Sequence, residues 1–305
     1  MTLPHSPADD LLTVRDWLRY AVSRFNEAKL VYGHGTETAL DEAAFMILST
    51  LHLGIDDIDP WLDARLTVTE RRAVFHAIDQ RVTTRKPASY ITGAAYISGH
   101  RFHVDERVIV PRSFIGELMV KDSQSFTSAE PWRINRILDL CTGSGCLAIL
   151  AALEFPNATV DAIDISQDAL EVAKINVAEY ELEDRVRLVN SDLFKGLGGE
   201  RYDIIISNPP YVTSEAVAAF PPEYKAEPQL AHLGGDDGLD IVRRILKDAR
   251  SHLAPGGNLI VEVGQANETV EADFPDLPFN WLDTEGSEGE VFSLPASALP
   301  KGKMR

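Results

Sequence analysis

The feature that most constrains this chain is an apolar run that breaks into a glycine turn and resumes as a helix. Arg136-Ile137-Leu138-Asp139-Leu140 reads as a buried strand. It enters Cys141-Thr142-Gly143-Ser144-Gly145-Cys146, and Leu147-Ala148-Ile149-Leu150-Ala151-Ala152-Leu153-Glu154 follows with helical spacing. Strand, glycine-rich turn and helix open a nucleotide-binding βαβ unit, in which missing Cβ atoms let the backbone approach a ligand. The next strand, Thr159 to Ile165, carries Asp164 near its end, nineteen residues beyond Gly145. That is where a carboxylate accepts both ribose hydroxyls. The expectation is an α/β fold with a mainly parallel sheet.

The dinucleotide pattern of three glycines is not met, because Ala148 stands where the third belongs. Asp139 lies just before the loop, with Thr142 on it. An acid there suits a cationic ligand end, such as the sulfonium or amino group of S-adenosyl-L-methionine, and would repel a pyrophosphate. The cofactor reading is therefore S-adenosylmethionine rather than NAD. A third strand, Arg187-Leu188-Val189, leads to Asn190-Ser191-Asp192-Leu193-Phe194. There Asp192 can accept from an adenine amino group and Leu193 or Phe194 can pack on the ring; the plain alternative makes Asp192 a turn or helix cap.

The chemistry is carried by Asn208-Pro209-Pro210-Tyr211, right after the β-branched run Tyr202-Asp203-Ile204-Ile205-Ile206-Ser207. Proline must end that strand, which leaves the Asn and Tyr at its carboxyl end, where open α/β sheets bind ligands. A conjugated NH2 group is a poor nucleophile because its lone pair is delocalised. A catalyst has to hold it by two acceptors and aim the lone pair at the electrophile. The Asn208 side-chain oxygen and the Pro209 carbonyl can be those acceptors. Pro209 and Pro210 fix the backbone beforehand, and the Tyr211 ring can cover the flat face of the amide. Asn208 also adjoins the cofactor. A plain proline turn is the bland alternative.

Together these motifs resemble the class I methyltransferases, and within them the HemK/Prm family of protein-glutamine N5-methyltransferases. The match runs through Asp139 to Cys146, Asp164-Ile165-Ser166, Asn208 to Tyr211, Val110-Pro111-Arg112 and Gly234-Gly235-Asp236-Asp237-Gly238-Leu239. The segments Val104 to Leu118 and Tyr32-Gly33-His34-Gly35-Thr36 are similar to the PrmB branch, whose substrate is large ribosomal subunit protein three. The release-factor branch tends to carry a second proline where Ser113 stands here. The resemblance implies a seven-stranded Rossmann-like sheet with a small N-terminal helical domain that holds the protein substrate over the cofactor cleft. It also implies Arg112 as a substrate contact, with Asn208 and Tyr211.

Composition narrows the partners. There are 29 basic and 47 acidic residues, a net charge of −18. Such a surface repels a polyanion and attracts a basic protein such as a ribosomal protein, so no direct nucleic-acid contact is expected. Two other readings stay open: a nucleic-acid adenine or cytosine amine methyltransferase, which uses the same type of turn, and a non-catalytic cofactor-binding assembly factor. No apolar run is long enough to span a bilayer and no basic leader precedes a cleavage site, so a cytoplasmic protein without membrane attachment is expected. Cys141 and Cys146 read as packing residues, and no metal site is expected.

Organisation along the chain follows from periodicity. Leu11 to Leu30 and Ala39 to Leu53 repeat at helical steps, and Thr67-Val68-Thr69-Glu70 is a capping box opening a third helix toward Thr83. The expected domains are residues 1–89, helical and substrate-recognising; 90–112, a hairpin and linker; and 113–305, catalytic. Gly33-His34-Gly35 reads as a flexible loop with a solvent-facing His. Arg71-Arg72, Arg81 to Lys86 and Arg243-Arg244 read as solvated helix faces or ends, and Lys121 to Pro131 as a mobile loop. Pro221 to Pro228 is too proline-rich for a helix and is expected to line the substrate groove. Gly238 to Leu253 reads as a helix capped by Asp236-Asp237. Leu259 to Val263 is a strand, and Phe279 to Asp283 with Glu290 to Leu294 an antiparallel pair.

Overall fold

A computed structural model describes residues 6–127, 129–284 and 286–300. They divide into two compact units. One comprises the described residues within 1–95, 104–106 and 220–227, and the other those within 96–103, 107–219 and 228–305.

The first unit is helical. Its elements are α1 (Pro7–Asp10), α2 (Val14–Glu27), α3 (Ala39–Thr50), α4 (Val68–Thr84) and α5 (Ala88–Thr92). Trp17, Phe25, Met46, Ile47 and Ile78 recur at helical steps and form its apolar centre. The capping box at the start of α4 is present, with Thr67 Oγ1 accepting from the Glu70 N–H and Glu70 accepting from the Thr67 N–H.

Two expectations are overturned here, those for His34 and Arg81. His34 is 2% exposed rather than solvent-facing. Gly33 and Gly35, both at positive φ, fold the loop back so that the imidazole lies 4.3 Å from the Tyr224 ring and 3.6 Å from a Glu227 carboxylate oxygen. Arg81 is fully buried, not solvated: its Nε donates to Glu42 at 2.7 Å and its Nη2 to the Val31 carbonyl. The proline-rich segment joins this helical unit through Phe220 to Glu227, with a short 3-10 turn at Tyr224–Ala226 and Glu223 fully buried.

A hairpin, β1 (Ala94–Ile97) and β2 (His100–His103), turns through Ser98-Gly99, both at positive φ. The residues expected to begin it, Tyr90 to Thr92, instead end α5.

The second unit is a seven-stranded α/β sheet of strands β3 (Arg136–Leu140), β4 (Thr159–Asp164), β5 (Val186–Asn190), β6 (Tyr202–Ser207), β7 (Leu253–Glu262), β8 (Asn280–Leu282) and β9 (Val291–Pro295). Their order is β5-β4-β3-β6-β7-β9-β8, parallel from β5 through β7, with β9 antiparallel to both β7 and β8. The centre of the sheet is apolar on both faces, which is why its strands read as continuous hydrophobic runs. Helices α6 (Phe114–Lys121), α7 (Cys146–Glu154), α8 (Gln167–Glu179), α9 (Ser214–Ala218), α10 (Asp240–His252) and α11 (Asn267–Asp273) complete the unit. β3 pairs with β4 on one side and β6 on the other, so the chain order reverses there and a crevice opens at the strands' carboxyl ends.

Two loop expectations also change. Lys121 to Pro131 contains a 3-10 turn, Ser123–Phe126, whose Phe126 is fully buried and whose Phe126 carbonyl accepts from Asn258 at 2.9 Å; Ser128 lies outside the described residues. Asp236-Asp237 do not occupy the cap of α10, which is Leu239. Asp237 instead accepts the Leu239 N–H and pairs with Arg243.

Candidate active site

The crevice is a cleft in the second unit, walled by Gly143, Asp164, Leu193, Asn208 and Arg244 among others. Four strand ends build it. Leu140 stands in register with Ile163 and with Ser207, and Asp164 with Asn190, so the segments that follow β3, β4, β5 and β6 emerge at one edge.

After β3 the chain turns sharply. Cys141 takes a left-handed backbone, φ 61°, and Gly143 and Gly145 do the same. Open space lies where a Gly143 Cβ would point, whereas a Cβ on Gly145 would sit 3.1 Å from the Ala173 Cβ. Gly145 therefore serves the close packing of α7 on α8. The buried Asn176 of α8 holds the turn by donating to the Ser144 carbonyl at 2.8 Å, and it exchanges hydrogen bonds with the His103 backbone. Asp139 and Thr142 stand behind the cleft wall. Asp139 is fully buried; its Oδ2 accepts from Thr142 Oγ1 at 2.5 Å and its Oδ1 meets no hydrogen-bond geometry among the described residues. Burial pushes its carboxyl up to about 7. Burial likewise raises both thiols, Cys146 to about 12, and both cysteines are free.

Asp164 lines the cleft. One carboxylate oxygen accepts the Gly143 N–H at 2.9 Å and the other the Ser166 N–H at 2.8 Å, which fixes the side chain and leaves each oxygen a further lone pair. Its carboxyl is raised by burial, against those backbone donors. Asp192 also lines the cleft but is engaged: Lys195 and Arg244 reach it at 2.7 and 2.5 Å and lower its carboxyl pKa. Arg244 is thus an ion-paired wall residue whose side chain on α10 also remains partly exposed. Asp192 occupies the cap position of the 3-10 turn Leu193–Gly196 without a side-chain capping bond, and Leu193, at φ 50°, turns into the cleft wall.

The prolines end β6 as their chemistry requires. Asn208 and Pro210 face the cleft, and the Asn208 side chain makes no hydrogen bond to any described residue. Pro209 is buried behind it. Tyr211 passes under the loop formed by Gly234 and Gly238, where a Cβ on either glycine would meet its backbone at 2.8 and 2.3 Å. Its hydroxyl donates to Glu262 Oε1 at 3.1 Å. Arg112 donates to the Val110 carbonyl, and its charge acts on the Tyr211 phenol.

Glu262, at the end of β7, escaped the sequence reading. It is fully buried, also accepts from Ser113 Oγ at 2.6 Å and the Phe114 N–H at 3.0 Å, and is raised by burial to about 7. A single acid closing the run Leu259-Ile260-Val261 one strand from Asn208 was the available signal.

Residues 123–220 match the model of the methyltransferase small domain. The chain is 56% identical over 297 residues to the ribosomal protein uL3 glutamine methyltransferase of Bradyrhizobium diazoefficiens, covering 95% of this chain and 92% of that one. It is 52% identical to the protein of the same name from Burkholderia pseudomallei, covering 94% and 96%. Among solved structures, the hMettl16 catalytic domain in complex with MAT2A 3′UTR hairpin 1 aligns over 95% of both chains at a TM-score of 0.51 and 15% identity, a likeness of fold.

Proposed function

Because the chain belongs to the family of ribosomal protein uL3 glutamine methyltransferases, we propose that it transfers a methyl group from S-adenosylmethionine to the N5 nitrogen of a glutamine side chain in ribosomal protein uL3. The observation that carries this reading is Asn208: a polar side chain without a hydrogen-bond partner among the described residues, set in the cleft wall at the carboxyl end of β6 and braced by two prolines.

The cleft suits the cofactor. Asp164, with lone pairs left over on both oxygens, takes the ribose hydroxyls, Gly143 leaves room beside it, and Leu193 with Ile165 offers apolar surface to the adenine. Asp192 gives the adenine amino group an acceptor that Lys195 and Arg244 keep ionised. When bound, S-adenosylmethionine supplies a methyl group on a positively charged sulfur. Asp139, Thr142 and Gly145 act from behind the wall by holding the turn.

The protein's part in the transfer is to bind and aim the amide. Asn208 Oδ1 and the Pro209 carbonyl accept its two N–H groups, which leaves the nitrogen lone pair to meet the methyl carbon in line. Tyr211 covers the amide plane and Arg112 contributes a substrate contact. The amide nitrogen would take the methyl group from bound S-adenosylmethionine, and its surplus proton would pass to water. The net charge of −18 favours a basic protein partner and disfavours nucleic acid.

Incubation with radiolabelled cofactor tests the assignment, using purified uL3, a release factor and total nucleic acid as separate acceptors. Label should enter uL3 alone, at a glutamine identified by mass spectrometry. Label in release factor or nucleic acid with none in uL3 would overturn it.

A further inference from the structure

Tyr211, proposed to cover the target amide, is held through its hydroxyl by a buried carboxylate, Glu262, that no motif indicates. Glu262 is fully buried at the end of β7, and its carboxylate gathers donors from two directions. From one come Ser113 Oγ at 2.6 Å and the Phe114 N–H at 3.0 Å, at the start of α6. From the other comes the Tyr211 hydroxyl at 3.1 Å. Ser113 is itself fixed, because its Oγ also accepts the Ile115 N–H at 3.2 Å. The Tyr211 ring is bounded on one side by Gly264, where a Cβ would lie 2.8 Å from the ring carbon Cε2. Hydroxyl and ring edge are thus both fixed, and a phenol so held has one plane available to it.

We propose that Glu262, supported by Ser113, is a positioning residue for methyl transfer: by fixing the plane of the Tyr211 ring it defines the slot in which the target amide lies. This rests on the glutamine reading above. Glu262 touches neither cofactor nor amide in this scheme and acts through Tyr211. A carboxylate suits the post because three donors converge on it, whereas an amide would turn its own NH2 toward one of them. Burial raises the Glu262 carboxyl, and once protonated its own O–H opposes one of these donors, so the full set of three bonds belongs to the carboxylate form.

The test is kinetic and spectroscopic, on the full chain. Glu262→Gln and Tyr211→Phe should each lower kcat on uL3 by about five- to twentyfold with cofactor Kd changed less than twofold. The double variant should be no slower than the slower single, because the second substitution removes a contact already lost. Ser113→Ala should resemble Glu262→Gln, and Ser113→Thr, which keeps the hydroxyl, should restore the parent rate. In protein labelled with 3-fluorotyrosine, the fluorine line that disappears in Tyr211→Phe should shift and broaden in Glu262→Gln. Multiplicative losses in the double variant, a parallel loss of cofactor affinity, or an unmoved fluorine line would each overturn the proposal. The fluorine line reads the ring without turnover. A parent that leaves uL3 unmodified while this line responds would therefore bring down the substrate assignment and support the restraint on Tyr211.

Discussion

A guanidinium nitrogen of Arg85 lies 2.6 Å from Glu223 Oε1, and the Glu223 side chain has no exposed surface. The same oxygen accepts the Val31 N–H at 3.1 Å and stands 3.9 Å from Arg81, while Glu223 Oε2 has no hydrogen-bond partner among the described residues. Arg81 is shared with Glu42, so two arginines and two glutamates balance in a water-poor interior. Such a cluster is costly to break from one side, because the remaining charge keeps its desolvation cost without its partner.

Glu223→Ala should accordingly destabilise the helical unit by about 2–4 kcal/mol, with Glu223→Gln losing less because one acceptor oxygen survives. Urea unfolding followed by circular dichroism measures this. A change below about 0.5 kcal/mol would mean that Arg85 finds equivalent solvation in the variant.

Two buried carboxyls give stability an inverted pH dependence over part of its range. Asp139 and Glu262 titrate near 7 in the folded protein, against ordinary values of 3.8 and 4.5. Below the ordinary values both states are protonated and neither group matters. Between those values and about 7 the folded state holds protons that the unfolded chain has released, so these groups cost stability progressively as pH rises, and fully above about 7. Asp139→Asn, which keeps an acceptor for Thr142, should gain on the parent as pH goes from 5 to 8, by on the order of a few kcal/mol. Thermal unfolding midpoints across that range decide it: a constant difference between the two proteins would place the Asp139 titration elsewhere.

Removing Asp164 should weaken the cofactor. Asp164→Ala loses a carboxylate proposed to accept two ribose hydroxyls by charge-assisted bonds, worth about 1.5–3 kcal/mol or roughly ten- to a hundredfold in Kd. Because Asp164 also accepts the Gly143 and Ser166 N–H groups, Asp164→Asn is the companion that retains one of those acceptors. Calorimetric titration with S-adenosylmethionine reads the effect, and unchanged affinity in a folded variant would remove Asp164 from the site.

Asn208 should separate transfer from binding. Asn208→Ala deletes one of two acceptors on the amide, so turnover should fall by about 10²–10³, the range for losing one preorganised polar group. Since Asn208 makes no side-chain hydrogen bond among the described residues, folding stability should hardly change. Single-turnover methylation within threefold of the parent rate would show that this turn is structural.

The sequence by itself determined the elements whose cause is local. The β6 run can only be a buried strand, and the two prolines can only end it, so Asn208 had to emerge at a strand's carboxyl end. Thr67 and Glu70 had to open a helix, and the apolar runs on either side of the glycine turn had to form a strand and a helix packed on a sheet. Each of these follows from sterics and hydrogen bonding within a few residues. The tertiary structure alone decided what is buried and beside what. A flanking-glycine histidine looks solvent-facing until Tyr224 and Glu227 cover it, and Arg81 looks solvated until Glu42 and Glu223 enclose it. Gly145 looks like room for a ligand until Ala173 closes on it. Glu262 shows in sequence only as a lone acid in an apolar run, because its partners, Ser113 and Tyr211, are distant along the chain. Desolvation and charge pairing depend on neighbours brought together only by the completed fold, which no local window of sequence contains.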